Sequence, residues 1–182
     1  MSPNKPRNSP PLAELCRLAA LLLILVQGVG CAGYNLGPTN GAPAGSRSVQ
    51  INFFQNKTTE PRLSEAVVIA TRRAFQQDGT FLLDTKDSGS ITVSGVIDQF
   101  DRSGVSFRPN DIITVRDYAL EMGAQITAME RSTGRVVFEG RVHGRTTIRA
   151  GNDLYSAERQ ALPLLAEDMA RNLVSRLADG TW

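Results

Sequence analysis

The stretch DYALEMGAQITAMERSTGRVVFEGRVHGRTTI, residues 117–148, constrains the fold more than any other part of the chain. Tyr118, Leu120, Met122, Ala124, Ile126 and Ala128 fall on one face of an extended segment, with Glu121, Gln125 and Thr127 on the other. Val136, Phe138, Val142 and Ile148 repeat the pattern against Glu139, Arg141, His143 and Arg145. A period of two sustained over two segments is the signature of half-buried antiparallel strands. The RSTG between them reads as a hairpin turn closed by glycine. Pairing Glu130 with Gly134 sets Ala128 opposite Val136, Ile126 opposite Phe138 and Met122 opposite Val142. A slip of one residue would set Ile126 against Glu139 and Met122 against Arg141 or His143, so the even register is expected. In it the reverse face carries Glu121 opposite His143 and Gly123 opposite Arg141.

A sheet that is apolar on one side needs a covering layer there. Two helices are available. In SVQINFFQNKTTEPRLSEAVVIATRRAFQQDGTFLLD, Val49, Ile51 and Phe53 alternate with Gln50, Asn52 and Phe54 as in a strand. NKTTEP is a turn with Thr59 as cap and Pro61 in a first helical turn. Leu63, Val67, Ala70 and Ala74 follow at helical spacing, Gly79 ends the helix in a left-handed cap, and residues 81–84 return as a short strand. A helix joining neighbouring strands implies a parallel pair. SITVSGVIDQF adds a strand with Ile91, Val93 and Ile97 on one face and Gly95 marking a bulge or a close approach. The second helix starts at Asp153 or Ser156, lines one face with Leu165, Met169, Leu173 and Leu177, and closes at Gly180; Pro163 predicts a kink or break near residues 161–163. The predicted fold is α+β, a two-layer sandwich of a mixed sheet with long antiparallel strands and two helices packed on one face.

Ahead of this domain lies LLLILVQGVGCAGYNL, residues 21–36. Lys5, Arg7 and Arg17 precede an apolar run over residues 18–26, too short for a spanning helix and right for the apolar part of a signal segment. Gly28 and Gly30 before Cys31 resemble a lipobox, although Gly28 stands where that pattern prefers Leu, Val or Ile. Cys31 is therefore expected to carry lipid, the alternative being an ordinary buried thiol. Cys16 lies in the removed part, which leaves one thiol in the mature chain and no disulfide framework. Ala32 after the cysteine resembles an outer-membrane sorting signal. The expected organisation is a signal peptide over 1–30, a lipidated N-terminus and flexible GPTNGAPAGS tether over 31–47, and a folded domain over 48–182.

Charge and chemistry narrow the function. Of 20 basic and 18 acidic residues, three and one respectively sit in the signal segment, so the mature chain carries 17 of each and is formally neutral. That argues against nucleic acid as a partner, since displacement of counterions from phosphates needs a basic excess. His143 is the single histidine, so a His-rich metal site is excluded. His143 opposite Glu121 could serve as a base and its orienter, but a cross-strand polar pair is the simpler reading. No phosphate loop or dinucleotide glycine pattern occurs. No catalytic residue, cofactor or metal is expected.

CAGYNL after the lipobox, INFFQNKTTEPRLSEAVVIATRRAFQQDG, the polar-backed hairpin and AERQALPLLAEDMARNLVSRL together resemble the LptE family of lipopolysaccharide-assembly lipoproteins, over nearly the whole mature chain. The resemblance implies a lipoprotein of the outer membrane, facing the periplasm and a barrel lumen. It implies as partners an LptD-like outer-membrane β-barrel, in which it sits as a plug, and lipopolysaccharide. A face carrying Glu121, Gln125, Thr127, Glu139, Arg141, His143 and Arg145 suits a water-lined barrel interior, and suits solvent equally. The opening strand and helix also resemble lipoprotein subunits of curli-type secretion channels, which build oligomers, and an accessory lipoprotein sharing only the fold is a third reading. One charge cluster is a candidate site. A loop over residues 101–114 carries Arg102 and Arg108 and leads to Arg116, and the hairpin brings Arg145 and Arg149 to the same end of the sheet. Five guanidiniums there suit lipid A phosphates, for which arginine's planar fork is well shaped. Asp101, Asp111, Asp117 and Asp153 lie among them, which leaves ordinary surface ion pairing as the alternative.

Overall fold

The computed structural model describes residues 45–149, 151 and 153–180; Cys31, the apolar run before it and the tether to residue 44 lie outside the described residues, as do the side chains of Arg108 and Ile112. The elements are β1 Ser48–Ile51, β2 Gln55–Asn56, α1 Leu63–Asp78, β3 Leu82–Asp84, β4 Ile91–Arg108, β5 Asp111–Glu130, β6 Val136–Arg149 and α2 Leu154–Asp179. They form an α+β sandwich. The six-stranded sheet runs β3-β1-β4-β5-β6, with β2 beside β4. β1 pairs parallel to β3, as the helical crossover between them requires, β1 and β2 also pair parallel to β4, and the β4–β5–β6 meander is antiparallel.

The core lies between one sheet face and the two helices. Leu120, Met122, Ala124, Ile126 and Ala128 of β5 are fully buried with Leu63, Val67 and Phe75 of α1 and Leu165, Met169 and Leu173 of α2. Gly144 on β6 lets α2 lie low on the sheet: a Cβ there would stand 2.5 Å from the Leu165 carbonyl oxygen and 2.8 Å from Met169 Cβ. Gly95 is the close approach that its place in the strand suggested, since a Cβ would meet the Phe54 ring at 2.6 Å.

Several sequence expectations are corrected. The hairpin pairs Ala128 with Phe138, Ala124 with Val142 and Glu121 with Arg145, two residues away from the expected alignment. One residue comes from the turn, where Glu130 N–H donates to the Arg135 carbonyl (2.8 Å) and Gly134, at φ +70°, stays inside a four-residue loop. The other comes from a bulge: Ala128 pairs with Phe138 but Met129 with Val136, so Val137 is extra and Val136 is exposed. Two added residues preserve parity, which is why the apolar face was still assigned correctly. The first strand breaks after Ile51, so Phe54 is buried and Phe53 exposed, the reverse of the simple alternation.

The helix ends differ as well. α1 begins after Arg62, without a side-chain cap; Thr59 plays no capping part, because the turn is organised by Asn56, which donates to the Glu60 carbonyl (2.7 Å) and accepts from Thr58. Gly79 does end α1 in the left-handed conformation, at φ 73°. Asp153 caps α2 by accepting from Ser156 N–H (3.1 Å). α2 then continues through Pro163 without a break, because Pro163 faces outward while Ala161, Leu162, Leu165 and Ala166 on either side are held in the core. Gly180 caps it with an extended, not left-handed, backbone.

The expected loop over 101–114 is strand. β4 and β5 remain paired from Ile91 with Glu130 out to Arg108 with Asp111, turning at Pro109 and Asn110, the latter at φ 64°. Proline followed by a residue that tolerates positive φ is what such a turn requires. β6 ends opposite Asp117, so the last part of β4–β5 is a two-stranded arm projecting past the rest of the sheet.

Candidate functional site

The face of the sheet away from the helices is mostly polar, with Met129 beside Val136 as an exposed apolar pair near the hairpin turn. Its outward residues come in cross-strand rows, Asp101, Glu121 and Arg145 in one and Gln99, Gly123 and His143 in the next. A bulge at Asp98, between Ile97 paired with Ala124 and Gln99 paired with Gly123, turns an extra carboxylate to this face. Arg141 lies across Gly123 and holds Asp98 with both prongs, at 2.8 and 2.9 Å, and the Gln99 amide oxygen at 3.0 Å.

The five arginines singled out in the sequence are placed as follows. Arg116 and Arg149 share one carboxylate, Asp117: Arg116 Nε donates to Oδ2 at 2.8 Å and Arg149 Nε to Oδ1 at 3.2 Å. Ser106 Oγ donates to the same Oδ2 at 2.5 Å. These donors, Ser106 foremost, hold the Asp117 carboxyl at about 2, so it is ionised at any physiological pH. Two guanidiniums on one carboxylate leave a local positive excess, and Arg149 is 75% exposed. Arg145 pairs with Glu121 on the outer face, two pleat repeats, about 13 Å, closer to the middle. Arg102 does not join them. The bulge at Asp98 reverses the facing of β4 beyond it, so Arg102 points to the helix side, where it donates to Glu158 of α2 (2.5 Å) and lies 5.7 Å over the Tyr118 ring. Arg108 stands at the arm tip, opposite Asp111, with its side chain outside the described residues.

The arrangement at the arm base is therefore three arginines, 116, 145 and 149, on one side of the sheet and one, Arg102, latching the arm to α2 from the other. The sequence reading placed Asp117 among these arginines as an ion-pairing partner, which it is, but missed Ser106 beside it and Arg141 as the cross-sheet clamp. Arg116 next to Asp117 was visible by adjacency, whereas the others depend on the true register. Farther out, Val105, Phe107 and Ile113 are exposed apolar residues on the arm, Ile113 at 87%. Among the described residues, no three His, Cys, Asp or Glu side chains come together as a metal site, and no helix is long and apolar enough to cross a membrane.

Among solved structures, the fold is similar to protein XCC0632 from Xanthomonas campestris, 12% identical with a TM-score of 0.54 over 77% of this chain and 88% of that one. It is also similar to the hypothetical protein CT253 from Chlamydia trachomatis, 8% identical with a TM-score of 0.52 over 74% and 97% of the two chains. At such identities the likeness concerns the fold alone. Nothing among curated proteins matches this chain. The sequence profile of the family described as LptE, lipopolysaccharide-assembly, matches residues 46–177, which span β1 to the last turns of α2 and every arginine of the sheet described above. With well over half its length so matched, the chain belongs to the LptE lipopolysaccharide-assembly family.

Proposed function

We propose that this protein works in lipopolysaccharide assembly as a lipoprotein anchored in the outer membrane through Cys31, with its folded domain seated in the lumen of an LptD-like β-barrel. The two-faced sheet carries the reading: its helix side is sealed in the core, while its outer side presents charged rows backed by no element among the described residues. A large outer-membrane barrel has a polar interior that such a face complements. The chain order gives an orientation. Gly45 N–H donates to the Thr80 carbonyl beside the start of β1, at the end of the sheet where β4 begins. The arm turn is at the other end of an 18-residue strand, about 55 Å away at strand pitch. The chain leading from Cys31 therefore enters the folded domain at the end of the sheet opposite the arm turn.

At the arm base, Arg116, Arg145 and Arg149 are the groups we assign to lipid A phosphates, with Arg108 at the tip and Arg102 as the latch that holds the arm. Purification from detergent-solubilised outer membranes tests the partner: a large β-barrel at equal stoichiometry is expected, and a ring of identical chains without a barrel would overturn the reading. Mass spectrometry of the mature N-terminus is expected to find diacylglyceryl and acyl groups on Cys31, and a free thiol or another cleavage site would remove the anchor. The variant Arg116→Glu with Arg149→Glu is expected to weaken lipopolysaccharide binding while the fold persists; unchanged affinity would sink the assignment of those arginines.

A further inference from the structure

Among the described residues, the outer edge of β6 is covered not by a strand but by side chains of α2. Asp168 Oδ2 accepts from the Arg145 backbone N–H (2.9 Å), Asn172 Nδ2 donates to the His143 carbonyl (2.9 Å), and Arg176 Nη1 donates to the Arg141 carbonyl (3.1 Å). The spacing is four residues on the helix and two on the strand, in opposite directions. Four helical residues rise about 6 Å and two strand residues about 6.7 Å, so the two ladders stay in step over three rungs. Gly144 makes this possible: by removing the Cβ that would strike Leu165 O and Met169, it brings α2 close enough for short Asp and Asn side chains to reach the edge.

Alternate residues along an edge strand turn their N–H and C=O outward, and an unpaired row is a template for another strand. The other edges have different safeguards. β3 is three residues long, and β4 beyond β2 is interrupted by register shifts at Asp98 and near Val105. β6 has 14 residues, and its bulge at Val137 lies away from its middle.

We infer that Asp168, Asn172 and Arg176 form an edge lock that denies β6 to incoming strands and keeps the chain from pairing with a second copy of itself. The second copy is the fitting occupant because β6 presents the same antiparallel register to itself under a two-fold axis, and two such edges are self-complementary in backbone donors and acceptors. Asp168 also accepts from Arg171 (2.9 Å), which fixes its carboxylate in the position the Arg145 N–H needs.

The test uses the full chain in detergent, as wild type and as the triple variant Asp168→Ala, Asn172→Ala, Arg176→Ala, by light scattering across a concentration series with hydrogen exchange on β6. The variant is expected to self-associate at concentrations roughly tenfold below any association of wild type, and the Arg145 amide to exchange faster in the dilute variant. A folded triple variant that stays as monomeric as wild type overturns the inference. Adding His143→Pro, which removes an outward N–H and is tolerated at a sheet edge, is expected to restore the monomer. Association that persists with that proline places the contact elsewhere and also overturns it. Should the triple variant not fold, Asn172→Asp sets a carboxylate against the His143 carbonyl and opens the middle rung alone, with light scattering across the same concentration series deciding.

Discussion

Arg141 on β6 grips Asp98 on β4 across the whole width of β5, and it does so because position 123 between them is glycine. A Cβ at 123 would stand 3.0 Å from Arg141 Nη2 and 2.9 Å from the Gln99 amide oxygen. Both are ends of flexible side chains, so Gly123→Ala is expected to displace the clamp without moving the backbone. Arg141 and Asp98 are 40% and 35% exposed, which limits the loss to about 1 kcal/mol. Urea unfolding of Gly123→Ala and of Asp98→Ala should give similar small losses, and the double variant should show that they share one interaction rather than add.

Gly144 has the opposite character, for the neighbour there is helix backbone. Gly144→Ala would press on the Leu165 carbonyl at 2.5 Å, and α2 must lift from the sheet to admit a methyl group. The expected loss is about 3 kcal/mol, the upper end for overpacking a core. Denaturant midpoints of the two glycine variants, side by side, check the contrast: equal losses would refute it.

Phe54 is buried completely against Gly95 where the strand breaks between β1 and β2. Phe54→Ala is expected to lose about 4 kcal/mol, whereas Phe53→Ala, at a residue 74% exposed, should stay within about 0.5 kcal/mol. Thermal unfolding of the pair distinguishes this from the simple alternation, which assigns Phe53 to the core.

That pair also shows how far the sequence carries. Parity was legible in β5 and β6 because burial punishes an odd slip, but burial is indifferent to an even one, so the four-residue turn and the bulge at Val137 left no trace in hydrophobicity. The arm was hidden for a related reason. DRSGVSFRPND has loop composition, and a ribbon with water on both faces needs no alternation to be paired. The ion pairs of the site inherit this blindness: Asp117 with Arg149 and Glu121 with Arg145 exist only in the true register. The helix side of the fold was more readable, since the spacing of Leu63, Val67, Leu165, Met169 and Leu173 reports burial directly.

Thr71 on α1 is fully buried and its hydroxyl has no hydrogen-bond partner among the described residues. An unsatisfied buried hydroxyl costs more than its volume contributes, so Thr71→Val, which keeps the shape, is expected to stabilise the fold by about 1 kcal/mol. Thr71→Ser keeps the hydroxyl and loses a methyl group, and should destabilise. Opposite signs in chemical unfolding are the check.

The arm base should respond to acid through Asp117. Its carboxyl is held at about 2 by Ser106, Arg116 and Arg149, against 3.8 ordinarily. The folded pKa is the lower one, so below neutrality the unfolded chain takes up the proton first, and stability rises with pH across the interval. The contribution is complete above about pH 4 and fades as pH falls towards 2. Asp84 and Asp153, whose carboxyls are also lowered by hydrogen bonds, titrate in the same direction, so wild type alone cannot isolate the effect. The informative quantity is the difference in thermal midpoint between wild type and Asp117→Asn. That difference is expected to be constant from pH 7 to about 4 and to shrink steadily below it, as protonation removes from wild type what the substitution has already removed. A difference that holds its size down to pH 2 would mean that Asp117 supports the arm by shape and neutral hydrogen bonding rather than by its charge.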